Sequence, residues 1–310
     1  MEKLLSTCPF VSIAIISYNQ RDYLEKCLKS ALSQTYPNLE IVVSDDASSD
    51  GSWELIQEYV ALSPGIIRGI RNEKNLGLIG NREVNLANTR GEFIAWLDAD
   101  DLAYPQRIER QVDYLLRNPA YSACYFNMDI YRGSERTDQT VYGTGRSALE
   151  GDQKTLIREE NFVMSSAIMY DASAIGRRGY RSIRGATFSD WQFFVNLGKA
   201  GKIGFIDDVL GAYRRHSSAA TASSKNIKSG VRQRRELALN AMLEQIPEEK
   251  ELICYALARF YLSQLSGAAK QSNVSATLSY AAKLGKLHRH ALAAVRDRYF
   301  TKKNLLPSFE

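Results

Sequence analysis

The chain has 310 residues, a net charge of +5, 45% hydrophobic and 24% charged residues. That length allows one large or two medium domains with a sizeable core, and the composition is that of an ordinary soluble globular protein. No apolar stretch approaches the roughly 18 residues of a membrane span, and Met1–Ser6 lacks the apolar core of a signal peptide, so a cytoplasmic protein is expected. Cys8, Cys27, Cys124 and Cys254 are scattered without Cys-x-x-Cys spacing; they read as reduced thiols, neither a zinc site nor a disulfide frame. The charge is unevenly placed. Residues 225–303 hold 15 Lys/Arg against 6 Asp/Glu, a balance of +9, which leaves −4 for the rest. A basic tail on a mildly acidic body suits an anionic lipid surface, an acidic acceptor or a partner subunit, and equally a merely solvated helical face.

In chain order, Val11–Ser17 is a nearly unbroken apolar run and reads as a buried strand. Tyr23–Gln34 has helical spacing, with Leu24, Cys27, Leu28, Ala31 and Leu32 on one face. Leu39–Ser44 is a second strand, and Ser52–Leu62 a helix with Ser52 as its N-cap. Ile66–Ile70, Gly80–Asn88 and Glu92–Leu97 follow as strand, helix and strand. This alternation predicts βαβ units and a layered, mostly parallel sheet. Gln106–Arg117 reads as a helix, Ser122–Tyr131 as a strand and 133–152 as a polar loop. A helix is expected around Asp171–Ile175, then a Gly/Arg-rich loop over 176–187 that fits a closing lid and fits an inert surface loop equally well. Phe188–Leu197 reads as a helix, Ile203–Ile206 and Val209–Arg214 as strands. From Ser229 to near Phe300 the pattern is helical, broken at Ile246-Pro247 and Ser272-Asn273. The expected domains are 1–220 and a helical region 221–310.

Three polar clusters fall at predicted strand carboxyl ends, where open α/β sheets bind ligands: Ser17-Tyr18-Asn19, Asp45-Asp46 and Asp98–Asp101. Massed carboxylates after a buried strand repel unless a cation joins them, so Asp98-x-Asp100 is a candidate Mg²⁺ or Mn²⁺ site; a solvated turn or a helix cap is the competing reading. A P-loop is absent, and Gly143–Ala148 matches the Gly-x-Gly-x-x-Ala string but follows a polar segment rather than the first strand. Three histidines are too few for a multi-histidine zinc site, and the basic tail has few interleaved aromatics, which disfavours nucleic-acid binding.

Taken in order, Val11–Asn19, Tyr36-Pro37, Glu40–Ser52, Asn75-Leu76-Gly77, Arg82, Arg90-Gly91-Glu92-Phe93, Leu97–Asp101, Ser189-Asp190-Trp191 and Tyr213-Arg214-Arg215-His216 closely resemble the signatures of family-2 glycosyltransferases, inverting enzymes of GT-A fold. The resemblance spans about residues 9–217. It implies a sugar transfer from a UDP- or dTDP-sugar to a glycan or lipid-linked acceptor in bacterial surface-polysaccharide or lipo-oligosaccharide assembly. It implies Asp100, with Asp98 and His216, at a Mn²⁺ or Mg²⁺ ion; Asp98 also toward the ribose; Ser17, Asn19, Asp45 and Arg82 around the nucleotide; and Asp190 as general base. On the residues alone His216 also reads as a structural histidine, and Asp190 as the N-cap of the following helix. Asp45 is the expected acceptor for an imide N–H, Asp46 is expected to order the Asp46–Ser52 turn, and Asp101 to cap the next helix. Trp96 and Trp191 are expected to pack, Trp191 with the option of stacking on an acceptor sugar. Glu83 and Asn85 depart from the family's usual Asn and Gly, and Ser189 replaces a usual acid; the first two changes put base or sugar preference in doubt.

A sugar-phosphate nucleotidyltransferase would share the sheet and metal, but its Gly-rich phosphate loop is missing after Val11–Ser17. A non-catalytic nucleotide-sugar-binding scaffold subunit would not need Asp98, Asp100, Asp190 and His216 together. Leu237, Met242, Leu252, Leu257, Phe260 and Leu262 give the C-terminal helices apolar faces for packing on the first domain, for a homodimer, or beside a peripheral contact with the inner face of the plasma membrane.

Overall fold

The computed structural model describes residues 8–143, 148–175, 189–216 and 224–287, of which 189 and 224–234 are described in backbone alone. In chain order the described elements are β1 (Val11–Ser17), α1 (Arg21–Leu32), β2 (Leu39–Asp45), α2 (Ser52–Leu62), β3 (Ile67–Arg71), α3 (Gly77–Ala87), β4 (Phe93–Asp98), β5 (Leu102–Ala103), α4 (Arg107–Arg117), β6 (Tyr121–Arg132), β7 (Glu135–Thr140), α5 (Gln153–Glu159), β8 (Met169–Asp171), α6 (Ser189–Ala200), β9 (Lys202–Arg215), α7 (Ser224–Gln245), α8 (Lys250–Lys270) and α9 (Val274–Gly285). The fold is α/β, as the alternation predicts.

The strands form one sheet in the order β3-β2-β1-β4-β8-β6-β9-β5, with β7 on β6. β1 to β4 are all parallel, with Val11–Ser17 in register with Leu39–Asp45 and Val11–Ile16 with Phe93–Asp98. Beyond them the sheet is mixed: β8 runs antiparallel to β4 and β6, and β6 runs parallel to β9. The chain winds from β1 outward to β3, then returns to place β4 on the other side of β1. The reversal falls at the carboxyl ends of β1 and β4, where ligands usually bind in open α/β sheets. β1, β2 and β4 are buried on both faces, which is why they read as apolar runs rather than as alternation.

Two helical side chains lock the parallel strands. Asn85, fully buried on α3, donates to Ile15 O (2.8 Å) and Val42 O (2.9 Å). Asn81 donates to Ser17 O (3.3 Å) and Ser44 O (3.2 Å). The unusual Asn85 therefore has a packing cause inside the sheet. Gly91 enters β4 so close to β1 that a Cβ there would sit 2.4 Å from Ser12 N.

Several local expectations are corrected. α2 is capped at Gly51, in the left-handed region at φ 88, and Ser52 is its first helical residue, with Asp50 Oδ1 accepting from Ser52 N (3.0 Å). Part of the expected loop 133–152 is a strand, β7, paired with β6. Asp171 ends β8, and only a 3₁₀ turn, Ala172–Ala174, follows it. The two strands expected over 203–214 are one, β9, whose ladder to β6 shifts register around Phe126–Met128. The segment 176–187 lies outside the described residues.

Contacts divide the chain into two units, Met1–Gln153 with Phe162–Arg184 and Asn196–Ser223, and Lys154–Asn161 with Gly185–Val195 and Ser224–Glu310. The second holds the C-terminal helices and also two earlier segments, one of them carrying Asp190. Within it, Met242, Leu257 and Phe260 are buried and Trp191 Nε1 donates to Leu156 O (2.8 Å). Glu236 of α7 accepts from Tyr261 of α8 (2.8 Å) and Lys283 of α9 (2.6 Å). Leu237 is 43% exposed, so the expected apolar face does not bury as a whole. No described helix is long and apolar enough to cross a membrane.

Candidate active site

The loops after β1 and β2 are stitched together. Asn19, at φ 50, donates from its backbone to Ser48 Oγ (2.9 Å) and accepts at Oδ1 from Ser49 N (2.9 Å). Ala47 is also left-handed, at φ 58. Non-glycine residues adopt that region at a cost of roughly 1–3 kcal/mol, and such positions cluster at functional sites. Ser17 and Asp45 end the two strands as direct register partners, both buried. Asp45 Oδ2 accepts from Ser48 N (2.9 Å) and lies 4.0 Å from Arg71 Nε. Its Oδ1 and the Ser17 Oγ are buried with no hydrogen-bond partner. An orphaned buried polar atom costs about 1–3 kcal/mol, so two at paired strand ends could be satisfied by a polar ligand or by water.

Asp46 does not order the turn that follows it. It accepts from Asn72 Nδ2 (2.8 Å), Leu76 N (2.8 Å) and Gly77 N (2.9 Å), fixing the start of α3 across the sheet edge. Asp45 and Asp50 hold the turn instead.

The acidic turn after β4 forms the second half of the site. Asp98 Oδ1 accepts from Arg82 Nη2 (2.9 Å), and Asp98 Oδ2 from Ser165 Oγ (2.8 Å). Arg82 is 2% exposed, and its guanidinium lies 4.0 Å over the Trp96 ring. It thus reaches the acidic turn from α3. Asp100 Oδ2 lies 3.0 Å from His216 Nε2, with His216 arriving from the end of β9. The Asp100 side chain keeps 15% exposure and the His216 ring 4%. Burial and the Asp98 charge push the Asp100 carboxyl up, and the His216 bond pulls it back. Asp101 is 2% exposed and accepts at Oδ1 from Arg214 N (2.9 Å). It therefore ties the turn to β9 and does not cap α4, whose N-cap is Gln106. Burial, then Asp100 and Asp98, push its carboxyl well up.

The raised Asp101 carboxyl has a stability consequence. The folded state holds this proton at a pH where the unfolded chain, near an ordinary carboxylate value of about 3.9, has lost it. Asp101 thus favours folding below the ordinary value and loses that contribution as pH rises toward its raised one. Asp101→Asn removes the titration while its amide oxygen can still accept from Arg214 N. The variant is expected to melt higher than the parent at pH 7.5, with the gain shrinking as pH falls into the carboxylate range; thermal unfolding across pH checks this.

Among the described residues no three His, Cys, Asp or Glu side chains form a metal cage by themselves. The donors present still suit a hard divalent cation. Mg²⁺ and similar ions are held by one or two carboxylates, with water and substrate phosphates completing the shell; Asp100 and Asp98 are of that kind, and His216 adds an imidazole nitrogen. Asp190 lies in the first turn of α6, in the second unit. Trp191 is 2% exposed and Trp96 fully buried, so both pack, and Trp191 presents no open face to a sugar. Three residues around the turn carried no signal in the sequence: Ser165 and Ser166 on a 3₁₀ turn, and Tyr23 on α1, whose ring meets His216 at 4.3 Å; Arg214, within β9, belongs to the Tyr213–His216 signature.

A parallel half-sheet whose order reverses between β1 and β4, with acids gathered at the carboxyl ends of its strands, defines a GT-A-type α/β protein. The family model for glycosyl transferase family 2 matches residues 12–179, more than half of the chain, and the chain belongs to that family. An Escherichia coli protein named UDP-Glc:alpha-D-GlcNAc-diphosphoundecaprenol beta-1,3-glucosyltransferase WfaP is 29% identical over 224 residues, 72% of this chain and 83% of that one. Uncharacterized mycobacterial proteins are 29% identical over 67% of this chain, and the match spans 59% of their length. Among solved structures, Staphylococcus aureus TarS in complex with UDP-GlcNAc superposes with a TM-score of 0.60 at 16% identity, covering 87% of this chain and 90% of that one. The mannosyltransferase PcManGT from Pyrobaculum calidifontis, in complex with GDP-Man and Mn²⁺, superposes with a TM-score of 0.57 at 18% identity, covering 96% and 89%. These two likenesses concern the fold.

Proposed function

We propose that this glycosyltransferase moves a sugar, with inversion, from a UDP- or dTDP-sugar to a hydroxyl of a lipid-linked or glycan intermediate in surface-polysaccharide assembly. The observation that carries the donor assignment is the pair of unpartnered buried atoms, Asp45 Oδ1 and Ser17 Oγ, beside the Asp98–Asp101 turn. A carboxylate oxygen accepts from the imide N–H of uracil or thymine, and cytosine has no such donor. Asn19 shapes the same loop pair, and Arg82 holds Asp98 at the ribose and diphosphate end. Asp100 and His216, with Asp98, would hold a Mn²⁺ or Mg²⁺ ion, which supplies Lewis-acid stabilisation of the leaving diphosphate when bound.

Asp190 is the proposed base. It takes the proton from the acceptor hydroxyl, whose oxygen forms the new bond to the anomeric carbon as the bond to the nucleotide diphosphate breaks on the opposite side. The acceptor class is supported by the E. coli relative, whose name specifies a diphosphoundecaprenol-linked sugar, and by the +9 balance of residues 225–303, which suits an anionic lipid at the inner membrane face. On this reading residues 1–220 are the catalytic domain and 221–310 the acceptor-side or membrane-side helical region; a homodimer through those helices is a further part of it. The test is a transfer reaction with α-linked UDP- and dTDP-sugars and sugar-diphospholipid acceptors, with the product linkage read by NMR. A β-linked product is expected; an α-linked product overturns the inverting mechanism.

A further inference from the structure

The turn that carries Asp100 is held by a stack of side chains that its own hydrogen bonds do not require. Arg214, 2% exposed, donates from Nε to Asp100 O (2.9 Å) and from Nη1 to Gly133 O (2.5 Å), while its backbone N donates to Asp101 Oδ1 (2.9 Å). Its guanidinium lies near two aromatic rings, 5.1 Å from Tyr23 on α1 and 5.7 Å from Tyr131 on β6. The Tyr23 ring also meets the His216 ring, with centroids 4.3 Å apart and planes tilted by 36°. Tyr131, Arg214, Tyr23 and His216 therefore form one stack that joins β6, β9 and α1. The first turn of α1 is itself fixed, since Arg21 N donates to Asp50 Oδ2 (2.9 Å) and Gln20 N to Ser52 Oγ (3.3 Å).

We propose that Tyr23 and Arg214 are positioning residues that set the placement of His216 against Asp100, and through it the affinity of this pair for a divalent cation. The inference rests on the reading of Asp100 and His216 as the cation end of the donor site. His216 is the first residue after β9, so strand pairing does not orient its ring. The Asp100 carboxylate fixes one ring nitrogen, and the Tyr23 ring fixes the plane. Arg214 does for the turn what lysine cannot: its planar fork reaches two carbonyls while its face remains stacked. Side chains that orient metal-binding groups are a distinct contribution to a site's affinity. A purely structural role for Tyr23 would show in unfolding and leave cation binding intact.

The test is Mn²⁺ binding to the full chain in the presence of UDP, followed by electron paramagnetic resonance, with thermal unfolding of the metal-free proteins alongside. Tyr23→Phe keeps the ring and is expected to bind as the parent does. Tyr23→Leu and Arg214→Lys are expected to raise the Mn²⁺ concentration at half-saturation by about 10–100-fold, with metal-free Tyr23→Leu melting close to the parent. Arg214→Lys carries the test if Tyr23→Leu does not fold. Mn²⁺ binding by both variants equal to the parent's, or a loss in Tyr23→Phe as large as in Tyr23→Leu, overturns the positioning role and leaves the proposed function standing. No UDP-dependent Mn²⁺ binding by the parent overturns both.

Discussion

Asp190→Asn is expected to bind UDP as the parent does and to transfer sugar about 10²–10⁴-fold more slowly. The substitution keeps size and polarity and removes the capacity to accept a proton. An acceptor hydroxyl is a poor nucleophile, and a positioned carboxylate supplies its activation in the transition state, not in the ground state; the loss should therefore fall on kcat rather than on donor affinity. Asp190 lies in the first turn of α6, where a carboxylate also suits the helix dipole. If helix stabilisation were its whole contribution, Asp190→Asn would lower the melting temperature and leave turnover per folded molecule unchanged. Steady-state kinetics with UDP binding measured on the same preparation separates the two.

Asp100→Asn is expected to lose activity without losing stability. Asp100 keeps only 15% of its side chain exposed, and burial and the nearby Asp98 charge push its carboxyl up, so its charge is a liability to the isolated fold. Replacing it with a neutral amide that can still reach His216 should leave the melting temperature equal or higher. Charge stabilisation by a bound divalent cation is worth several kcal/mol, and each 1.36 kcal/mol is tenfold in rate, so turnover should fall by about 10²–10³-fold or more. Higher stability with lost turnover is the pattern of a functional carboxylate. Lower stability with turnover retained would assign Asp100 to the fold alone, holding His216 at the end of β9. Thermal unfolding and initial rates across a Mn²⁺ series read both.

The parts of this molecule legible in its sequence are those where local pattern and tertiary environment agree. β1 is apolar throughout because both its faces are covered, and α2 runs over the residues its periodicity marks. The breaks at Ile246-Pro247 and Ser272-Asn273 fall between α7, α8 and α9, and the Asn273 side chain accepts from Ala276 N to cap α9. What was not legible is short or distant. β8 spans three residues, too few for any period, and joins the sheet only because β4 and β6 flank it. β7 is polar along its length, so no hydrophobic alternation announces it. The capping chemistry of Ser52 and Asp101 is local, and the fold places both side chains elsewhere. Gly51 adopts the left-handed conformation that Ser52 does not, and Asp101 finds its donor on Arg214, 113 residues away.

The candidate site divides in the same way. Three strand-end clusters could be read because each lies within a few residues of chain. The contacts that orient them could not: Ser165 reaches Asp98 across 67 residues, and Tyr23 meets Arg214, itself part of the Tyr213–His216 signature, only in the folded state. That Asp45, not Asp46, holds the Ser48 turn follows from strand pleat. Adjacent residues at a strand end point to opposite sides, so one carboxylate faces the Ser48 turn while the other reaches Asn72 and the start of α3.

The central claim is a uracil- or thymine-nucleotide site completed by a divalent cation, and thermal unfolding of the purified protein with UDP, dTDP, GDP, CDP and NAD, each with and without Mn²⁺, tests it most directly. A ligand present at about 100 times its dissociation constant stabilises by roughly 2.7 kcal/mol, enough to move the transition by a few degrees. A shift with UDP or dTDP that requires Mn²⁺, and little or none with GDP, CDP or NAD, is the predicted result. Equal shifts with CDP, or no shift with any nucleotide diphosphate and Mn²⁺, would contradict it.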